Sequence, residues 1–160
     1  MATTSESGWP YVQFRGGPPG FVRSLDEHTL AWADLRGNRQ YISTGNLDHD
    51  PRVALIFLDF AQQARLKIYG VAHVTDVHKM GGYTSPLAVP GYRARVEREV
   101  RVNVIAYDWN CPQHITPRFS TEQIRRMTEA TRRRVSHLEA ENQALRDRLS
   151  SLPTSSGPTR

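Results

Sequence analysis

The chain has 160 residues, 21 lysines and arginines against 16 aspartates and glutamates, and a formal net charge of +5. This length suits one domain with an appendage. No apolar run approaches the roughly 20 residues of a membrane span, and the first residues lack a signal-peptide pattern, so we expect a cytoplasmic protein. The single Cys111 excludes an internal disulfide, and the cations are scattered among acids rather than gathered into a nucleic-acid surface.

The apolar pattern predicts six strands ahead of residue 110. The second follows a Gly-Pro bend at residues 16–20, the fourth is a continuous apolar run typical of a strand buried on both faces, and the last two are rich in β-branched residues. The predicted strands cover residues 11–15, 21–25, 29–33, 53–58, 66–75 and 100–107. Short strands with hairpin-like connections favour a mainly β protein with a small closed or nearly closed barrel.

After residue 119 the sequence changes to the pattern of a single long helix, predicted over residues 120–152. Ser120 and Gln123 match a capping box at its start, and Pro153 stops it. The tail, residues 153–160, is predicted to be disordered.

This helix carries a heptad pattern. Apolar residues recur every three or four positions, with Val135 and Leu149 at a, Asn142 also at a, and Leu138, Leu145 and Leu152 at d. In a parallel dimer Arg134 would face Glu139 and Glu141 would face Arg146. The sequence therefore predicts a two-stranded coiled coil.

Two other readings of the helix stay open. Three heptads are few, so the stripe could pack along its own barrel. A DNA-reading zipper is the sharper alternative, because five arginines precede the stripe; they are Arg125, Arg126, Arg132, Arg133 and Arg134. That basic region is short and is interrupted by Glu122 and Glu129, which argues against a nucleic-acid partner.

A phosphate-binding pattern lies between the third and fourth predicted strands. The segment Trp32–Leu47 runs from a strand into a loop rich in Gly, Asn, Arg and Ser, and the later segment Arg65–Gly70 brings back further cations. Backbone and side-chain donors of this kind converge on anions. The sequence therefore predicts a phosphate cradle at the edge of the barrel.

These segments resemble the FMN-binding split-barrel family related to pyridoxamine 5′-phosphate oxidase. The resemblance covers roughly residues 7 to 119 and rests on several motifs in order. They are Gly8-Trp9-Pro10-Tyr11, Gly37-Asn38-Arg39-Gln40-Tyr41-Ile42-Ser43, Arg65-Leu66-Lys67-Ile68-Tyr69-Gly70 and Asp108-Trp109-Asn110-Cys111-Pro112-Gln113-His114.

The resemblance implies a split-barrel domain over residues 1–119, shorter at its N-terminus than in the family, with a short helix at residues 41–47. It implies FMN as cofactor, held at the interface of a homodimer, and an oxidoreductase role on an unknown small substrate, with a nicotinamide reductant as a possible electron donor. The alternative is a non-catalytic flavin- or ligand-binding module whose helix docks a partner. Deazaflavin and haem, which the wider superfamily also binds, stay open as cofactors.

The resemblance also implies the residues that contact the cofactor. Arg39 would give the phosphate a charge-assisted fork and Ser43 a hydroxyl donor. The full set is Gln13, Phe14, Arg15, Trp32, Ala33, Asp34, Asn38, Arg39, Gln40, Ser43, Arg65, Leu66, Lys67, Gln113 and His114.

Some of these residues also have ordinary structural explanations. Gln13 and Arg15 could be solvent-facing strand residues, Asp34 could cap its loop, and Arg65 with Lys67 could form a solvated face. Cys111 and His114 have no second ligand pair, so no metal site is predicted.

The sequence departs from the classical oxidases in two ways. Arg39-Gln40 stands where they have an Arg-Lys pair, and their C-terminal Trp and Arg motif for the vitamin is missing. Pyridoxamine phosphate is therefore not the expected substrate. No Gly-x-Ser-x-Gly motif supports a hydrolase either.

Overall fold

The computed structural model describes residues 1–80, 85–109 and 112–151. The chain divides into two compact units, Met1–Thr116 and Pro117–Arg160. The first unit holds every strand described, and the second holds one long helix. The elements are β1 (Ala2–Thr4), β2 (Pro10–Val12), β3 (Val22–Ser24), β4 (Thr29–Leu35), α1 (Ile42–His49), β5 (Arg52–Asp59), β6 (Ala64–Asp76), a 3₁₀ turn (Val77–Met80), β7 (Val96–Trp109) and α2 (Thr121–Ser150).

The strands form one antiparallel sheet in the order β2-β1-β5-β6-β7-β4-β3. Within the described residues β2 and β3 lie at its two ends and do not pair with each other, so the sheet is not closed. This is the mainly β split barrel that the sequence predicts. The long strands β6 and β7 pair along most of their length, and both carry several β-branched residues, mainly valine, which suit a pleated, half-buried surface.

Two of the local predictions need correction. The apolar run of residues 53–58 is not buried on both faces: Val53 and Leu55 are buried, whereas Ile56 is 53% exposed. The strand therefore alternates as a half-buried strand does. A seventh short strand, β1, was not among the six predicted; it joins β2 to β5 through the pairs Thr3 with Tyr11 and Ala2 with Ala54.

The main core lies on one face of the sheet. Paired residues of neighbouring strands share a face, as Leu55 and Ile68 do, and Val102 is fully buried among them. Full burial of each such side chain contributes about 1.5–3 kcal/mol. The buried apolar residues of this cluster are Met1, Trp32, Leu47, Val53, Leu55, Ile68, Ala72, Val100 and Val102.

Strand β4 is buried on both faces, which fixes its position. Trp32 belongs to the main core, while the alternate residues Ala31 and Ala33 pack with Leu87 in a second, smaller cluster. A strand held on both faces has little freedom to shift its register. The residues at its C-terminal end are therefore held firmly against β7.

Helix α2 starts where the sequence predicts. The Ser120 hydroxyl accepts from the Gln123 N–H at 3.2 Å, and the Gln123 side chain accepts from the Ser120 N–H at 2.7 Å, which confirms the capping box. The helix is described as far as Ser150; the predicted d residue Leu152 and the predicted disordered tail lie outside the described residues. No helix in the described part of the chain is long and apolar enough to cross a membrane.

A close contact between β6 and β7 yields a stability prediction. At the bulge between Tyr69 and Gly70, a Cβ added to Gly70 would lie 2.5 Å from the Asn103 carbonyl oxygen. Gly70→Ala should therefore force the two strands apart and lower the free energy of unfolding by about 1–3 kcal/mol. Urea unfolding measures this.

Gly45 is the matched control, because it lies in α1 with open space around the added Cβ. Gly45→Ala should leave stability unchanged or raise it by up to about 1 kcal/mol, since alanine favours helix more than glycine does. Equal stability of Gly70→Ala and the parent would contradict the close contact.

Candidate functional site

A polar cavity of about 220 Å³ opens where the C-terminal end of β4 meets the N-terminal end of β7. The segment after β2, the loop between β4 and α1, and the first turn of α1 complete its wall. It is lined by Gln13, Arg15, Asp34, Leu35, Gly37, Asn38, Arg39, Tyr41, Ser43, Thr44, Glu97 and Arg98.

A β-bulge brings two successive residues of β7 into this cavity. Asp34 pairs with Arg98 but Leu35 pairs with Val96, so Glu97 is an extra residue on β7. In a regular strand Glu97 and Arg98 would point to opposite faces, whereas a bulge re-aims one of them. Both side chains therefore line the same space.

Asp34 bridges two guanidinium groups. Arg15 Nη1 donates to Asp34 Oδ1 at 2.9 Å, and Arg98 Nε donates to Asp34 Oδ2 at 3.2 Å. The side chains of Asp34 and Arg98 are only 9% and 13% exposed. Because these charges are largely out of water, the contacts are stronger than those of a surface ion pair and more costly to break.

The loop between β4 and α1 is held in an unusual backbone conformation by the same residues. Arg39 and Tyr41 have left-handed φ values of 62° and 54°. Such backbone angles are rare for residues other than glycine. The Arg98 guanidinium lies 4.4 Å from the centre of the Tyr41 ring, and Tyr41 Oη donates to Glu97 Oε2 at 3.1 Å. The cation–π contact and this hydrogen bond offset the backbone strain.

Arg15 and Arg98 pair with Asp34, whereas Arg39 makes no ion pair with a carboxylate of the cavity and can therefore bind a ligand. Its Nε donates to Tyr41 Oη at 3.3 Å, and this hydrogen bond raises the pKa of Arg39 above its ordinary value. Its two terminal nitrogens have no partner among the described residues. The lining as a whole holds three guanidinium groups and two carboxylates, which leaves one positive charge in excess.

Further donors face the cavity from its other walls. The Ser43 hydroxyl is buried and donates to Gln13 Oε1 at 2.6 Å. The backbone of Gln13 is fixed in turn, because its N–H donates to the Met1 carbonyl at 2.9 Å. Arg15 Nε is buried and has no partner among the described residues. Arg15 Nε has almost no accessible surface and is not open to a ligand, so it is the excess positive charge and the free nitrogens of Arg39 that suit this cavity to an anion.

An apolar groove of about 500 Å³ adjoins the polar cavity, and Gln13 and Arg15 line both. Phe14 is 90% exposed there, and the buried indole nitrogen of Trp32 has no hydrogen-bond partner among the described residues. The other lining residues are Met1, Val12, Phe21, Val22, Leu55, Ile56, Phe57, Leu58 and Phe60. Cavity and groove together match a ligand with an anionic end and a flat apolar end.

The structure brings together about half of the residues predicted to bind the cofactor. Six line the polar cavity: Gln13, Arg15, Asp34, Asn38, Arg39 and Ser43. Phe14 and Trp32 line the groove. Ala33 instead faces the smaller cluster with Leu87, and Gln40 lies in the exposed loop, where its side chain accepts from Asn38.

The remaining five predicted residues lie at the other end of the sheet. Lys67 pairs with Asp108 across β6 and β7, ten residues along β7 from Arg98, or about 33 Å at the usual rise per residue. Gln63, which precedes β6, donates to the Ile115 carbonyl and so brings the exposed residues 113 and 114 to the same end. We name this second set the distal group; it consists of Arg65, Leu66, Lys67, Gln113 and His114. None of its residues lines the polar cavity or the groove, but Arg65, Leu66 and Lys67 pair with Leu58, Phe57 and Ile56, which line the groove.

Six residues of the cavity lining are not in the predicted set: Leu35, Gly37, Tyr41, Thr44, Glu97 and Arg98. Tyr41, Glu97 and Arg98 are the three of them whose side chains hold the loop and the ion pairs of the site. Residues 93–101 alternate between charged and apolar or oppositely charged residues, as the polar beginning of a strand does. The face to which Glu97 and Arg98 point depends on the bulge, which the sequence does not reveal. Tyr41 was included in a predicted helix over residues 41–47, whereas α1 starts at Ile42 because Tyr41 is left-handed.

A sequence profile described as pyridoxamine 5′-phosphate oxidase matches residues 1–107 of the 160. The chain belongs to the pyridoxamine 5′-phosphate oxidase family. The match spans all seven strands except the last two residues of β7, so it includes the polar cavity and the groove. Among the curated proteins none matches the chain in sequence.

Two solved structures of one protein share the fold at low sequence identity, and a third structure is similar at a lower TM-score. The Group A Streptococcus protein HupZ is 15% identical, with 74% of this chain and 86% of that one covered and a TM-score of 0.50. An alanine variant of HupZ gives 14% identity, coverage of 68% and 86%, and a TM-score of 0.51. A candidate pyridoxamine 5′-phosphate oxidase from Lactobacillus delbrueckii gives 19% identity, coverage of 67% and 79%, and a TM-score of 0.45. At these identities the likeness concerns the fold alone.

The bridge at Asp34 yields a prediction. Asp34→Asn removes the negative charge that separates Arg15 from Arg98, so it should lower the free energy of unfolding by about 2–4 kcal/mol. Chemical denaturation followed by tryptophan fluorescence measures the change.

Asp50→Asn is the matched control, because Asp50 pairs with an Arg52 side chain that is 80% exposed. The hydrogen bond from Arg52 lowers the pKa of Asp50 to about 2, yet such an exposed pair adds little stability, so the unfolding midpoint should hardly move. Equal effects of the two substitutions would contradict the bridging role of Asp34.

Proposed function

We propose that the protein binds FMN, with the phosphate in the polar cavity and the ring system in the apolar groove. The observation that carries this proposal is the continuity of the two at Gln13 and Arg15. FMN has a dianionic phosphate at one end and a flat, largely apolar ring system at the other, so its chemistry matches both parts. Membership of the pyridoxamine 5′-phosphate oxidase family supports this choice of ligand.

In this proposal the phosphate is held by Arg39 and Ser43. The free terminal nitrogens of Arg39 form a planar fork that fits two phosphate oxygens, and the Ser43 hydroxyl can turn its hydrogen from Gln13 to a third. Arg98 and Tyr41 act as positioning residues, because they hold the loop of Arg39 in place.

We further propose that a second copy of the chain completes the pocket. In one chain the distal group lines neither the polar cavity nor the apolar groove, although Arg65, Leu66 and Lys67 pair with groove residues of β5. In this proposal the distal group of a second copy closes over the ligand. A two-fold symmetric dimer forms two equivalent pockets in this way. Lys67, whose Nζ pairs with Asp108 Oδ2 at 2.9 Å, would then be the lysine that reaches each pocket.

The proposed activity is oxidoreduction of a small substrate. Bound flavin supplies hydride transfer, and the protein supplies binding, orientation and exclusion of water, so no protein nucleophile is required. The departures from the classical oxidases argue against pyridoxamine phosphate as the substrate.

An absorbance spectrum of the purified protein tests the cofactor directly. Flavin, deazaflavin and haem absorb differently, so a haem or deazaflavin spectrum, or no ligand after incubation with FMN, would overturn the proposal. Steady-state turnover with reduced nicotinamide then separates an enzyme from a flavin-binding module that does not catalyse a reaction.

Arg39→Ala tests the phosphate position. Losing a charge-assisted contact should weaken FMN binding roughly tenfold to a hundredfold, and the fold should be unaffected because Arg39 lies in an exposed loop. Riboflavin, which lacks the phosphate, is the control ligand and should bind the variant as it binds the parent. Equal losses for the two ligands would contradict the assignment; titration followed by flavin fluorescence measures both.

Subunit mixing tests the shared pocket. Arg39→Ala and Lys67→Ala each damage every pocket of their own homodimer. A mixed dimer has one pocket with both changes and one with neither, so equal mixing should restore tight FMN binding in about a quarter of the pockets. If mixing after dissociation restores no tight sites, the distal group does not belong to the pocket.

A further inference from the structure

Helix α2 exposes an apolar stripe along its second half. In the helix described by itself, Val135, Leu138, Leu145 and Leu149 are between 45% and 68% exposed, and no residue of α2 is buried. Most helices in proteins gain their stability by packing such a face, because intrinsic propensity alone is marginal. The stripe therefore needs a partner surface.

The ion pairs of α2 are confined to its first half. Arg126 donates to Glu122 at 3.0 Å, and Arg133 donates to Glu129 at 2.6 Å, each pair four residues apart. In the second half none of the charged residues that flank the stripe has an opposite charge of Lys, Arg, Asp or Glu three or four positions away. These residues form no ion pair within the described part of the chain; they are Arg134, Glu139, Glu141, Arg146 and Arg148.

We propose that α2 binds α2 of a second copy of this chain as a parallel coiled coil that runs from Val135 to Leu149. In this arrangement a g residue of one helix faces the e residue five positions further on in the other helix. Arg134 then faces Glu139 of the second copy, and Glu141 faces Arg146 of the second copy. Four of the five charges left unpaired within the helix are thus matched in sign across the interface; the e position that would face Arg148 lies beyond the end of the proposed coil.

Asn142 decides the orientation of the two helices. In a parallel, in-register pair the two Asn142 side chains lie opposite each other and can exchange a hydrogen bond. In an antiparallel pair an a residue faces a d residue, so each Asn142 would face a leucine and leave its buried amide without a partner. The charges agree with the parallel arrangement. This interface uses no residue of the proposed flavin site, so an experiment can contradict the coiled coil without contradicting the flavin site, and the reverse.

Two charge variants test the pairing in the full-length protein. The g variant carries Arg134→Glu and Glu141→Arg, and the e variant carries Glu139→Arg and Arg146→Glu. Each places like charges at every facing pair of its own parallel dimer, which should weaken helix pairing on the order of tenfold. In a mixed dimer of the g and e variants every facing pair is attractive again.

A cysteine at the end of the stripe reports pairing of the helices rather than of the barrels. Leu149 occupies an a position of the heptad. Leu149→Cys therefore places two thiols opposite each other in a parallel coil, and oxidation should link the two otherwise unchanged chains covalently. Ala140→Cys, on the face away from the partner, is the matched control and should show only the background of Cys111. We expect the g and e variants with Leu149→Cys to cross-link poorly alone and well when mixed. A chain with all four charges reversed should cross-link as the parent does.

Each other outcome overturns the proposal. Absence of cross-linking in the parent Leu149→Cys would mean that the stripe packs on its own barrel or on a different protein. Undiminished cross-linking of the g and e variants alone would exclude these charge pairs. Failure of mixing to restore the link would exclude the parallel register.

Asn142→Leu gives a second measurement without a cysteine. The substitution should strengthen association and broaden its stoichiometry beyond two helices, because the polar pair selects a two-stranded register at a cost in stability. Sedimentation at several concentrations measures both quantities. Unchanged association and stoichiometry would contradict a seam that contains Asn142.

Discussion

The ion pair between Asp34 and Arg98 is the contact on which the candidate site depends. It spans β4 and β7 next to the bulge that turns Glu97 and Arg98 to the same side, and it also holds Arg15. One carboxylate thus partly neutralises two guanidinium groups that would otherwise repel each other. The cavity keeps one positive charge in excess, which attracts an anion. A larger excess would make the arginines of the cavity repel one another more strongly.

The strained loop between β4 and α1 also holds Arg39 in place before a ligand binds. A left-handed backbone at Arg39 and Tyr41 costs roughly 1–2 kcal/mol for each residue. The contacts of Tyr41 with Arg98 and Glu97 offset part of that cost during folding. An anion then meets an arginine whose position is already set, so little conformational entropy remains to be lost on binding.

The two proposed interfaces of the protein would reinforce each other. A flavin pocket that needs the distal group of a second copy forms only when two barrels associate, and a coiled coil between the α2 helices holds two chains together. Linkage of this kind raises the effective concentration of one barrel at the other. It would allow a barrel contact that is weak by itself to support a complete pocket at low protein concentration.

The sequence alone determined the fold family, six of the seven strands and the start of α2, because apolar periodicity, capping residues and dense motifs are local properties. It also identified Arg39, Ser43 and Asp34, since they lie within or next to one motif. The tertiary structure decided the rest. Tyr41, Glu97 and Arg98 enter the cavity through a left-handed residue and a bulge, and the exposure of Ile56 follows from its neighbours in the sheet. Arg39 and Lys67 both belong to motifs that the resemblance assigns to the cofactor, but only Arg39 lines the polar cavity of one chain, because Lys67 lies on β6 beside the groove residue Ile56.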